Sequence, residues 1–240
     1  MLLRLPTSVS EAQEYLTEGA VPIGGATLVW ATWQRDGFPD HAMSLRDLPE
    51  ANTIEREALG AAVVLNRIDD RVPEVLRGAA AGVGTGAVRR TATVGGNIVG
   101  STLRCLLPAA LVLDARAVIL EPEGVTETDL AEVLAKRQLL LSLRWRAPIT
   151  SSHHKGAAEP GGASPLVVAA AVHSVDGGTT RLRVAVRCED EVFSESAACH
   201  SDADEVLRIL RDSSFGRLPD SAWEVVGRQV TGLLARPGIS

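Results

Sequence analysis

Residues Gly82 to Glu121 read GVGTGAVRRTATVGGNIVGSTLRCLLPAALVLDARAVILE, and the order of residue types in this stretch decides the fold. Small residues and two arginines, Arg89 and Arg90, lead into Thr93-Val94-Gly95-Gly96-Asn97. A helix is expected from Thr102 to Asp114, and a β-branched strand from Ala117 to Leu120. Far upstream, a second glycine pair, Gly24-Gly25, stands in VPIGGATLVW (Val21 to Trp30), again between an apolar run and a helical segment.

Adjacent glycines let a backbone turn approach a bulky group and aim N–H donors at it without Cβ cover. Strand, glycine turn and helix in that order set those donors at a helix N-terminus, where an anion is favoured. Two such turns converging from distant parts of a chain are able to hold one diphosphate between them. Either pair alone is equally an ordinary tight turn between strand and helix.

The chain has 240 residues, of which 45% are apolar, enough for a packed core. Aromatic residues are only 3%, so Leu, Val and Ala must fill that core. A net charge of −6 excludes a broad nucleic-acid footprint. The three cysteines, Cys105, Cys188 and Cys199, include no C-x-x-C pair. They supply neither a disulfide framework nor the ligand set of an iron–sulfur or zinc site. No apolar run is long enough to cross a bilayer, and the start lacks the apolar region of a secretion signal. A cytoplasmic protein with no membrane span and no nucleic-acid partner is expected.

In chain order, Ser8 to Glu11 fits a capping box opening a helix, and Ala20 to Ile23 is a strand running into Gly24. Thr27 is expected to cap a helix carrying Leu28, Trp30 and Ala31 as far as Gly37. His41 to Leu45 is a strand, Thr53 to Ala62 a strand pair, and the segment after Asp69-Asp70 a helix. GVGTGA matches a dinucleotide fingerprint literally but follows a helix, where the fingerprint demands a strand. A short helix from Asp129 to Ala135 and a strand from Leu139 to Trp145 follow. Residues 149–164 are rich in Pro, Gly and Ser and are expected to be a linker or loop, with His153-His154 exposed in it. Leu166 to Val175, Asp176-Gly177-Gly178 and Thr180 to Cys188 spell a β-hairpin. Two amphipathic helices, Ser201 to Asp212 and Ser221 to Ala235, close the chain. No internal repeat is present.

The motif TVGGN with an upstream Val88-Arg89, an earlier GG and a closing Leu113-Asp114-Ala115 resembles the flavin-binding subunit of molybdenum hydroxylases, the relatives of carbon monoxide and xanthine dehydrogenases. Ser44-Leu45, Leu48-Pro49 and Ala58 to Ala61 extend the resemblance, which covers Leu5 to about Pro148. It implies an α+β fold: two small α/β lobes (about 1–52 and 53–148) forming an FAD-binding domain, then a short C-terminal antiparallel sheet with helices (165–240). It implies that Ile23, Gly24, Gly25, Ala26, Thr27 and Leu28 form one FAD diphosphate loop and Thr93, Val94, Gly95, Gly96 and Asn97 the other. Neither loop holds His or Cys, so the FAD is non-covalent. Position 106, where relatives carry an aspartate that holds the adenosine end, is Leu106, and it completes the implied cofactor site. The Lys and Arg that relatives place just before the first C-terminal strand are also missing from GGASPLVVAAAV.

The resemblance further implies a small iron–sulfur subunit with [2Fe-2S] clusters and a large subunit with the molybdenum cofactor. Electrons from molybdenum would pass through the clusters to FAD and on to an acceptor such as NAD or a quinone. Two other readings stay open: a flavin-poor structural subunit of such a complex, and a stand-alone small flavoprotein oxidoreductase.

Overall fold

The computed structural model describes residues 1–101, 103–157, 164–175, 178–199 and 202–236. Four parts of the expected pattern lie outside them: Thr102, residues 158–163 of the linker, Asp176-Gly177 of the hairpin turn, and Ser201. In chain order the elements begin with β1 (Leu2–Arg4), α1 (Val9–Thr17), β2 (Val21–Ile23), α2 (Val29–Asp36), β3 (His41–Ser44), β4 (Ile54–Glu55), β5 (Ala58–Gly60), α3 (Glu74–Ala81), α4 (Gly86–Arg89) and α5 (Leu107–Val112). Then come β6 (Arg116–Glu121), β7 (Gly124–Asp129), α6 (Leu130–Lys136), β8 (Leu139–Arg144), β9 (Thr150–Lys155), β10 (Val167–Val175), β11 (Thr179–Cys188), β12 (Glu191–Ala198), α7 (Ala203–Arg211) and α8 (Asp220–Leu234). The fold is α+β, as expected. It divides into two compact units: Met1–Val72, Val83–Arg104 and Ala115–Trp145 in the first, and Pro73–Gly82, Cys105–Asp114 and Arg146–Ser240 in the second.

The first unit carries two sheets. A parallel three-stranded sheet has the order β1-β3-β2, and an antiparallel five-stranded sheet the order β4-β5-β8-β6-β7. Helix α1 starts where Ser8 Oγ accepts from the Glu11 N–H at 3.3 Å, while the Glu11 carboxylate accepts from the Thr7 N–H at 2.7 Å. These bonds satisfy donors that a helix start otherwise leaves orphaned. Its Ala12 packs with Met43, Leu45, Leu48, Leu120 and Leu141, which ties the first sheet to the second in one core. Fully burying a Leu or Met of this kind contributes about 1.5–3 kcal/mol.

The second unit is built on an antiparallel sheet of order β12-β11-β10-β9. Alternation along β10 and β11 sends Val168, Val172, Val184 and Val186 to one face, where Leu210 of α7, Phe215 and Val226 of α8 cover them. The opposite face carries Ser151, His153, His173 and Arg183. Helices α3 and α5 pack there: Ser151 Oγ accepts from the Val75 N–H at 3.2 Å, and His173 Nε2 lies 2.7 Å from the Val112 carbonyl oxygen.

Three expectations need correction. Thr150–Lys155, composed like a linker, is strand β9, paired with β10 over Thr150↔Val172 to Lys155↔Val167. It is an edge strand, and such strands are short and polar because water or a covering element meets their open side. His153 is accordingly not in an exposed loop; it packs on α3, where a Cβ at Gly78 would stand 3.0 Å from its own Cβ. The helix expected from Thr102 to Asp114 is shorter, Leu107–Val112, with Pro108 in its first turn.

Candidate functional site

Both glycine loops lie in the first unit. The first begins where β2 ends, with Ile23 paired to Ser44. Ala26 follows the glycines with φ +55°, a left-handed conformation that costs a non-glycine residue roughly 1–2 kcal/mol. Its carbonyl accepts from the Trp30 N–H at 3.1 Å, which turns the chain into α2. Thr27 does not cap that helix: the N-cap residue is Leu28, and no side chain bonds the helix start.

The second loop is laced to the segment 61–65. Leu65 N–H donates to Ala92 O at 2.9 Å, Val94 N–H to Val63 O at 3.0 Å, and Gly95 N–H to Ala61 O at 2.9 Å, around an isolated bridge between Val64 and Thr93. Gly96 N–H then donates to Thr93 Oγ1 at 3.2 Å, and Asn97 N–H to Thr93 O at 2.9 Å. Gly96–Gly100 forms a π turn, a wide turn that recurs at ligand sites. Thr93, Val94 and Asn97 are all buried.

The two loops touch. A Cβ built on Gly25 would overlap the carbonyl group of Thr91, and one on Gly24 would overlap Thr93 Oγ1. A Cβ on Gly95 would meet the Ala61 Cβ at 3.0 Å. The missing side chains therefore make room for protein, the other loop or the segment behind it, which corrects the expectation that they make room for a ligand.

The donors divide unequally between the loops. Those of Val94 to Asn97 are spent on the protein's own carbonyl and hydroxyl oxygens. Among the described residues, no acceptor meets the N–H groups of Gly24, Gly25, Ala26 and Thr27. Four consecutive unpaired donors in a turn containing a left-handed residue form an anion-binding concavity that needs no cationic side chain. Arg89 is occupied elsewhere, donating from Nη1 to Val83 O at 2.9 Å and Gly84 O at 2.8 Å. The diphosphate of FAD fits this first loop, with the Thr27 hydroxyl exposed beside it.

Leu106 does not fit the role expected of it. It is the N-cap residue of α5, belongs to the second unit, and has no accessible surface. Its side chain is a packing group, and a leucine suits that environment where a carboxylate would not. The thiols do not suit redox or nucleophilic roles either. Cys105 is buried, burial and the nearby Glu189 and Glu191 push the Cys188 thiol up, and burial pushes the Cys199 thiol up. Among the described residues, no group of His, Cys, Asp or Glu is placed to hold a metal ion. The segment 61–65 and the Thr91 carbonyl are parts of the site that motif reading passed over. The apolar run Ala61 to Leu65 was the available signal for the first; a backbone contact leaves none.

Residues 3–142 match the model of the family described as the FAD binding domain in molybdopterin dehydrogenase. The chain belongs to this family. Among solved structures, it is similar to quinoline 2-oxidoreductase from Pseudomonas putida 86, with 18% identity and a TM-score of 0.73 over 97% of this chain and 96% of that one. The Cu,Mo-CO dehydrogenase in its cyanide-inactivated form gives 19% identity and 0.71 over 98% and 96%. Reconstituted CO dehydrogenase from Oligotropha carboxidovorans gives 19% and 0.69, again over 98% and 96%. At these identities the likeness is one of fold. Among curated proteins, no sequence matches the chain. Within the family, FAD is the cofactor whose diphosphate the first loop suits.

Proposed function

We propose that this chain is the FAD-carrying redox subunit of a heteromeric molybdenum-dependent hydroxylase or dehydrogenase. Its partners on this reading are a small subunit with [2Fe-2S] clusters and a large subunit with the molybdenum cofactor. Electrons reach the chain from the clusters and leave to an external acceptor such as NAD or a quinone, in the cytoplasm. The observation that carries the reading is the run of four N–H groups at Gly24 to Thr27 that meet no acceptor among the described residues, braced by Thr91 and Thr93 at the entry to the second loop. Family membership supports it, and the chain-length matches to quinoline 2-oxidoreductase and Cu,Mo-CO dehydrogenase support the fold it requires.

When bound, FAD accepts and releases electrons through its isoalloxazine ring. The chain's own contribution is positional. Gly24 to Thr27 orient backbone dipoles at the diphosphate, and Thr93 holds the second loop's turn against them. Asn97 and Val94 secure that turn from within. Ile23 and Leu28 bound the first loop at the end of β2 and the start of α2. We assign FAD binding to residues 1–148, with lobes at about 1–52 and 53–148, an assignment that the family match supports.

The test is the absorbance of the purified 240-residue chain. Flavin bands in near-stoichiometric ratio to protein, and co-purification of iron–sulfur and molybdenum subunits, are expected. A colourless chain that still captures those subunits would instead establish the flavin-poor structural reading. A yellow chain that captures neither subunit would establish a stand-alone flavoprotein.

A further inference from the structure

Helix α2 has no buried residue among its eight. Only Val29 and Trp33 are partly covered, so little of its stability comes from packing within this chain, and a helix of that length is marginal in water without a covered face. It nonetheless displays costly side chains. Leu28 at its start is 50% exposed, Trp30 49% and Phe38 just beyond it 44%. Trp30 and Phe38 meet edge to face, with centroids 5.3 Å apart at 68°, and Trp33 also meets Phe38 edge to face, 6.1 Å away. The chain has four Trp and three Phe in all, so the gathering of Trp30, Trp33 and Phe38 on and just beyond one short helix is not a matter of abundance.

The helix is continuous with the anion-binding turn: the Trp30 N–H bonds the carbonyl of Ala26, the third of the four residues with unpaired donors. Backbone donors for an anion therefore stand one helical turn from an open aromatic surface. A ligand that satisfies both carries a diphosphate and a flat ring. We propose that Trp30, steadied by Phe38, is the stacking platform for the adenine of the dinucleotide. This rests on the FAD reading and extends it to a named residue. Adenine suits the place, because stacking of a base on an aromatic face is compatible with the half-open setting of Trp30 and Phe38. Trp is the strongest such platform, and base–aromatic stacking tolerates an exposed edge.

The experiment titrates the 240-residue chain with ADP, with FMN and with FAD, following tryptophan fluorescence. ADP and FAD are expected to quench the wild-type protein and FMN to leave it unchanged. Trp30→Ala should weaken ADP and FAD about tenfold, the middle of the range for loss of one stacked base, with Trp30→Phe recovering most of it. Thermal melting of both variants should match wild type, since Trp30 is half exposed; should Trp30→Ala melt early, Trp30→Phe alone decides, its affinity for ADP and FAD read by calorimetry. ADP and FAD binding unchanged in Trp30→Ala overturns the adenine platform and leaves the FAD reading standing. Quenching by FMN without ADP assigns the platform to the other ring and overturns it too. Unchanged nucleotide affinity with lost capture of partner subunits marks Trp30 as a protein-docking residue. A wild-type chain that binds none of the three defeats this proposal and the FAD reading together.

Discussion

Gly25 lies so close to Thr91 that no side chain fits between them: a Cβ at position 25 would occupy the space of the Thr91 carbonyl. The obstacle is backbone, held in turn by the Ala92 N–H bond to Val88 O at 2.7 Å and by Leu65 N–H on Ala92 O. It has little freedom to yield. Gly25→Ala is therefore expected to lower stability by about 2–3 kcal/mol through overpacking, and to lose flavin with it. Gly100→Ala is the matched control, because nothing stands within 4 Å of a Cβ there, and its stability should stay within roughly 0.5 kcal/mol. Chemical denaturation and the flavin-to-protein absorbance ratio check both; equal stability of Gly25→Ala and wild type would refute the contact.

Leu106→Asp is expected to destabilise the fold and not to tighten FAD. Leu106 has no accessible surface, and a carboxylate placed there loses its hydration without a prepared partner. A cost of about 3–5 kcal/mol is in the range for an uncompensated buried charge. The measurement is a urea melt beside an FAD titration. Undiminished stability with tighter FAD would restore the adenosine role to this position.

Arg187→Met is expected to leave stability unchanged or to raise it by about 1–4 kcal/mol. Arg187 is 2% exposed, and its Nη2 donates to Pro165 O at 2.8 Å, but among the described residues Nε and Nη1 meet no acceptor. Met keeps the length and apolar stem while removing the buried charge. A loss of more than about 2 kcal/mol in denaturant would show that the guanidinium is compensated in solution.

Stability should fall on acidification between pH 6.5 and 4, with His153 responsible. Burial first, then the charges of His154 and Lys155, push the His153 imidazole down to about 4. The unfolded chain binds its proton near 6.5, so in this window it holds more protons than the folded chain. Stability is then complete above 6.5 and lost as pH falls toward 4, by on the order of 3 kcal/mol at most. His153→Gln should flatten that part of the pH profile of Tm; an unchanged profile would assign the slope to other groups.

The strands were readable where β-branched and apolar residues alternate or run together, as at Ala117–Leu120 and across the β10–β11 hairpin. The glycine loops were readable as turns, and their meeting was implied by family resemblance. What glycine is for was not: a backbone-to-backbone contact such as Gly25 on Thr91 leaves no trace in residue type beyond glycine itself. Strand β9 was hidden because TSSHHK is polar, and its strand character comes from pairing with β10 and cover by α3. Leu106 was placed at the adenosine end by resemblance, which fixes a position in the chain and not the direction of a side chain.

The order in which the chain visits its two units governs how it can be taken apart. It passes from one to the other after Val72, Gly82, Arg104, Asp114 and Trp145. Helices α3 and α5 are thus donated from early sequence to a sheet that is made from the last strands. During synthesis their apolar sides, including Val75, Leu76, Ala109 and Val112, wait uncovered until β9 to β11 have emerged. A fragment ending near residue 148 would keep both glycine loops and still leave those helices without the surface they pack on. The flavin-binding part is therefore not a detachable cassette, and exchange of C-terminal segments between relatives must carry α3 and α5 along with the sheet.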